Sequence, residues 1–245
     1  MLFRSPTVGI DELLGVPTVQ YRARDFTWVG RMAIVLQPIG AFGHSPVKTF
    51  SDLYKYEMPV AGTGVVSPSE AYPRLLNQVV GTKFKIIGGY TSSADSVLAM
   101  ERKEVDGGLL SWNTMKLTKA DKIASGELRP LVQFTLERTK DLPDTPTSVE
   151  VGRNEQEREV LRFYTAAEEI GRSFLAPPGM PPDRVAMLRK GFEDMTRDAE
   201  FLEEVRRSQI EFAPMGGVEL EKLARSTTDV SPATVERAKR FLAQP

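Results

Sequence analysis

No cysteine occurs among the 245 residues, and histidine occurs once. The first absence excludes disulfides, thiolate nucleophiles and Cys-ligated metals. The second makes any histidine-dependent triad or acid–base pair rest on His44 alone, in the turn-like stretch Gly43-His44-Ser45-Pro46. With no evident partner there, His44 reads as a solvated hinge residue. An excess of one charge is also lacking: 32 Lys and Arg against 33 Asp and Glu leave a formal charge of -1. Phosphate backbones require basic residues in excess on one face, so nucleic acid is not an expected partner. Nor does any apolar run approach the roughly 18 residues of a membrane span. Residues Met1 to Pro6 carry neither an apolar h-region nor a small-residue cleavage site, and taken alone that start predicts a cytoplasmic protein. No G-x-S-x-G elbow, H-E-x-x-H pair or P-loop is present. The acidic pairs Glu168-Glu169 and Glu203-Glu204 fall on helical patterns and read as solvated faces.

What is there is enough apolar residue, 41%, for one large or two modest domains. The middle alternates strand-like and helix-like patterns, the mark of an α/β sheet with crossover helices. Strands are expected at Trp28–Leu36, Met58–Ala61, Phe84–Ile87, Gly107–Leu110, Leu131–Phe134 and Arg172–Ala176. Thr49–Tyr56 reads as a short helix capped by Thr49 with Asp52 three positions on, and Ser67-Pro68-Ser69-Glu70 is a complete helix start. Pro73 conflicts with it, so that helix either begins nearer Tyr72 or has a distorted first turn. Further helices are expected over Ala94–Arg102 (Ser93 as cap), Asp121–Ser125 closed by Gly126, and Gln156–Ile170 after a Thr147/Glu150 capping box. Four more follow at Pro182–Arg197, Ala199–Ser208, Val218–Thr227 and Pro232–Ala243, with Asp198 and Ser231 as N-caps. The expected organisation is a complete α/β domain over 47–170, flanked by 1–46 and 171–245, which together form an incomplete first domain. Two crossings make a hinge, and a cleft between such domains is a common ligand site.

Gly62-Thr63-Gly64-Val65-Val66-Ser67 follows a strand and opens toward a helix, as a dinucleotide fingerprint does. Ser67 stands where the third glycine belongs, and Gly88-Gly89 ends the next strand where an acidic ribose ligand is needed, so a nucleotide-binding α/β oxidoreductase remains only an alternative. A different pattern stands out. Two successive strands end in loops of glycine and hydroxyl residues that each lead into a helix. Such loops present backbone amides at the positive ends of helix dipoles and suit a small anion, although plain helix caps look the same.

Phe84-Lys85-Ile86-Ile87-Gly88-Gly89-Tyr90, with Ala94-Asp95, Leu98-Ala99-Met100-Glu101-Arg102 and Glu104-Val105-Asp106-Gly107, resembles the core signature of the tripartite tricarboxylate transporter receptors, the Bug-type solute-binding proteins. Leu142-Pro143-Asp144-Thr145-Pro146-Thr147 and Phe174-Leu175-Ala176-Pro177-Pro178-Gly179-Met180-Pro181 resemble two further elements, and Asp198-Ala199-Glu200-Phe201-Leu202 continues the last. The resemblance runs from about Asp25 to the C-terminus. It implies a two-domain periplasmic-binding-protein-like α/β fold with doubly wound sheets. It also implies a non-enzymatic, periplasmic receptor without cofactor that closes on a small carboxylate and delivers it to membrane permease subunits. By position in the motif, Thr63, Gly64, Ser67 and Ser69 match one ligand loop, and Tyr90, Ser92, Ser93 and Asp95 the other. Asp95 would meet an amino group on the ligand, or serve only as a first-turn helix carboxylate. Family members begin with a signal peptide and a glycine-rich loop on leading strands. Nothing before Asp25 matches these, so the expectation is a truncated N-terminus lacking one or more βαβ units of roughly 30 residues. On that account a scaffold that keeps the fold without its ligand is a further alternative.

Overall fold

The computed structural model describes residues 2–4, 8–15, 19–34, 36–65, 67–208 and 212–242. Its elements begin with β1 (Leu2–Arg4), α1 (Val8–Leu14), β2 (Thr27–Ala33), β3 (Ile39–Phe42), β4 (Met58–Ala61), α2 (Pro68–Val80) and β5 (Phe84–Ile87). There follow α3 (Ser93–Glu101), β6 (Gly107–Leu109), α4 (Trp112–Thr118), α5 (Ala120–Ala124), β7 (Leu128–Val132) and α6 (Glu155–Glu168). The chain closes with β8 (Arg172–Ala176), α7 (Pro182–Met195), α8 (Ala199–Arg207), β9 (Met215–Gly216), α9 (Gly217–Thr228) and α10 (Pro232–Leu242). They fall into two compact units, one of residues up to 35 with 163–236, the other of 36–162 with residues from 237 on. The divisions differ from the expected 46/47 and 170/171. Strand β3 pairs with β6 and β7, which carries residues 36–46 into the second unit, and the return lies inside α6.

The second unit holds a five-stranded sheet in the order β5-β4-β6-β3-β7. Strand β4 runs parallel to both β5 and β6, while β3 is antiparallel to β6 and β7. The β3–β6 contact is closer than side chains allow. A Cβ on Gly107 would fall 2.1 Å from the Gly40 carbonyl oxygen. Phe42, Met100, Leu110, Trp112 and Leu128 pack into one apolar cluster of this unit. Helix α2 starts at Pro68, not near Tyr72, with Ser67 as N-cap and Gly81 in the left-handed region (φ 78) at its C-cap. Pro73 lies inside it, where it lacks the amide that would bond the Ser69 carbonyl. Tyr72, Leu75, Leu76, Val79 and Val80 recur at helical spacing and are all buried, which outweighs that loss. Tyr72 stacks on Phe134 at 3.9 Å between centroids.

Beyond β7 the predicted strand 131–134 shifts back to Leu128–Val132. The Thr147/Glu150 pair forms its reciprocal bonds (2.7 and 3.2 Å), but inside a turn before α6. Buried Gln133 binds the loop before that turn together: its amide donates to the Leu142 and Thr145 carbonyls, and its carbonyl accepts from Thr139. His44, read as lacking a partner, has Nε2 3.2 Å from the Val105 carbonyl and 3.5 Å from Asp106 Oδ1.

The first unit's sheet has the order β1-β8-β2-β9, antiparallel in every described pairing. Strand β2 shifts register against β8 at Trp28/Gly30 and again at Arg31/Ala33. Gly30 is crowded by the Phe192 ring of α7, 2.3 Å from where a Cβ would stand. Arg31 is buried and donates to the carbonyls of Ala213 (3.1 Å) and Glu169 (2.6 Å), and burial draws its pKa down. Arg189 of α7 donates to the Trp28 carbonyl (2.9 Å) and to Glu221 of α9 (2.7 Å), joining both helices to β2. Asp198 caps α8 as expected, accepting from the Phe201 amide at 2.8 Å, and Ser231 accepts from Thr234 at the start of α10. The expected end of α10 at Ala243 lies outside the described residues.

Candidate functional site

Parallel strands β4 and β5 lie side by side, so the loops that leave their C-terminal ends are neighbours. In parallel α/β sheets this end is where ligands collect, because helix N-termini and loop amides converge there. The contact is direct: the Gly62 amide donates to the Ile87 carbonyl (2.8 Å), and the Tyr90 amide to the Gly62 carbonyl (3.2 Å). The eight residues expected at the ligand fall into two sets, one in each loop.

In the loop after β4, three hydroxyls close a triangle. Thr63 Oγ1 lies 2.9 Å from both Ser67 Oγ and Ser69 Oγ, which are 3.0 Å apart. Ser69 Oγ also accepts the Thr63 amide (3.0 Å), and Ser67 Oγ accepts the Ser69 amide (3.4 Å). Ser69 is buried, whereas Thr63 and Ser67 are half-buried. Hydroxyl protons rotate freely, so Thr63 and Ser67 can turn theirs from the triangle toward an acceptor outside it. Gly64, at φ 138, takes a backbone conformation reserved for glycine. Its amide is committed, donating to Glu70 Oε1 at 2.9 Å.

The loop after β5 repeats the plan. Ser92, not Ser93, is the N-cap of α3, accepting the Asp95 amide at 3.2 Å. Ser93 is the first helical residue because the chain is still extended at Ser92 (φ -154, ψ 165). Asp95 accepts from the Thr91 hydroxyl and from the Ser92 hydroxyl (2.9 Å). Those bonds, Thr91's foremost, hold the Asp95 carboxyl below its ordinary range. Thr91 to Asp95 are exposed and Tyr90 is half-buried, its ring against the unit's apolar cluster.

Both loops therefore share one construction, with an acid at the third helical position turned back onto the loop. From the sequence Glu70 reads as an ordinary capping residue, and its reach to Gly64 has no local signature. The glycines that would have betrayed it are Gly62, Gly64 and Gly88. A Cβ on Gly62 would come 2.6 Å from Glu70 Oε1, and one on Gly88 3.4 Å. Among the described residues, no group of three or more His, Asp or Glu side chains converges as metal ligands, and no helix is long and apolar enough to cross a membrane.

Residues 15–239 match the family model of the tripartite tricarboxylate transporter family receptor, TctC. The chain belongs to that family. A TctC solute binding protein from Polaromonas is 16% identical, with a TM-score of 0.65 over 98% of this chain and 76% of the other. Rpa4515 of R. palustris, solved with adipate, is 21% identical (TM-score 0.61, 98% and 75% covered). MatC of Rhodopseudomonas palustris, solved with bound malate, is 19% identical (TM-score 0.60, 97% and 75% covered). At such identities the likeness speaks for the fold, which is the α/β fold of TctC solute-binding proteins. No curated protein matches.

Proposed function

We propose that this TctC-family chain is a periplasmic solute-binding receptor. It takes a small carboxylate on the loops after β4 and β5 and passes it to the permease subunits of a tripartite transporter. Family membership over residues 15–239 carries the reading. Adipate and malate, held by two structural relatives, support the ligand class. Thr63, Ser67, Tyr90, Ser92 and Ser93 are the proposed contacts, with Gly64 and Ser69 shaping the first loop. Asp95 is the proposed partner of an amino group on a ligand that bears one. The commitment of the Gly64 amide to Glu70 counts against a dinucleotide, whose pyrophosphate needs the amides of a glycine loop free. No catalytic step belongs to this function.

Calorimetric titration with malate and adipate, beside NAD and ATP, tests it. Binding of a carboxylate and of neither nucleotide is the expected result. Binding of NAD or ATP alone would replace the receptor with a nucleotide-dependent enzyme.

A further inference from the structure

We propose that Glu70 is the positioning residue of this loop pair, a single buried carboxylate that sets the shape of the first loop and supports the second. The inference rests on the receptor reading for its ligand but on separate observations for its geometry. Glu70 is 5% exposed on the first turn of α2. Burying a carboxylate is costly unless it is hydrogen-bonded or paired. Its partners here are the Gly64 amide on Oε1 (2.9 Å) and Arg74, one turn along the helix, 3.6 Å from Oε2. Arg74 also reaches the Val65 carbonyl at 3.5 Å, so the pair grips the loop at two successive residues.

Helix capping does not explain this arrangement. In a capping box the third helical residue would reach back to the amide of the N-cap. The Ser67 amide instead donates to the Gly64 carbonyl (2.9 Å), and the Glu70 carboxylate passes beyond it to Gly64. The side chain then fills the space beneath Gly62, whose missing Cβ would meet Glu70 Cγ at 2.5 Å, and extends to Gly88. One acid thus borders the empty side-chain positions of both glycines that follow β4 and β5. Through the Gly64 bond it fixes the turn that presents Thr63 and Ser67.

Glu70→Asp keeps the charge and withdraws the carboxylate by one methylene, out of reach of Gly64. Glu70→Gln keeps length and acceptor. Glu70→Asp should speed hydrogen exchange at the Gly64 amide and weaken binding of malate or adipate about tenfold, the order expected if the lost hydrogen bond to a charged acceptor must be made up before the loop can hold the ligand. Glu70→Gln should stay within about threefold of the parent on the same grounds. Leu76→Ala, a cavity in the core face of the same helix, is the control: it should lower Tm without altering affinity. Should folded Glu70→Asp retain both Gly64 protection and affinity, or should it behave as Leu76→Ala does, the proposal is wrong. A parent protein that binds neither acid refutes the receptor reading instead, and Gly64 exchange across the Asp and Gln variants still decides whether Glu70 holds the loop.

Discussion

The Tyr90 amide donates to the Gly62 carbonyl across 3.2 Å, and by that bond the loop after β5 leans on the loop after β4. The sheet's ladder continues one step past its last strand residues, so neither loop is placed independently. A change in one should be felt in the other.

The first expected outcome concerns Asp95. Its carboxyl lies below the ordinary range because Thr91, and then Ser92, donate to the charged form. Thr91→Ala should move its titration back up toward the ordinary range, as read by NMR across the acid limb. With the folded pKa depressed, these bonds contribute stability above the unfolded carboxylate pKa and lose it as pH falls through the folded value. An unmoved titration would show that the Thr91 bond does not form in solution.

Glu221 makes a parallel case in the first unit. Hydrogen bonds from Arg225, followed by Arg189, hold its carboxyl below the usual 4.5. The stabilisation should be complete at neutral pH and decline below about pH 4.5 as the folded-state proton binds. Trp28 lies in the first unit and Trp112 in the second, so a Trp112→Phe background reports the first alone. In that background Glu221→Gln should flatten the acid dependence of urea unfolding. An unchanged slope between pH 7 and the acid range would count against the ion pair.

Two glycines should respond in opposite directions. Gly107→Ala forces a methyl against the Gly40 carbonyl and the Met58 side chain, and should destabilise the second unit by at least about 2 kcal/mol. Gly191 lies within α7 with open space around its missing Cβ. Gly191→Ala should therefore stabilise by about 0.4–1 kcal/mol through the unfolded chain's lost freedom. Denaturant midpoints of the two variants give both signs.

Features written locally were legible in the sequence. The Asp198 cap, the turn at Gly126 and the Ser92-to-Asp95 start of α3 each depend on neighbours within a few residues and are legible to within a residue or two. The Ser67-Pro68 start of α2 is legible only as one of two starts, because Pro73 argues for the later one. Long-range features were not. Strand β3 is a four-residue segment, Ile39-Gly40-Ala41-Phe42, whose pairing depends on glycines more than sixty residues away, and it carried no alternation to announce it. Strand β7 begins earlier than its apolar residues suggest because Pro130, usually a mark against a strand, sits inside it beside Gly40. Glu70 escaped for a related reason: a glutamate three places after a capping serine is so common that its burial beneath two loops leaves no local trace.

The position of β3 also bears on the order in which a ribosome releases the chain. Ile39, Ala41 and Phe42 finish almost wholly buried, yet both strands that flank them, β6 and β7, are made well after them. At about 5–20 residues per second, the interval is on the order of several seconds. For that time the nascent chain carries an apolar strand with neither edge occupied, a natural target for a chaperone that shields extended segments until their partners arrive.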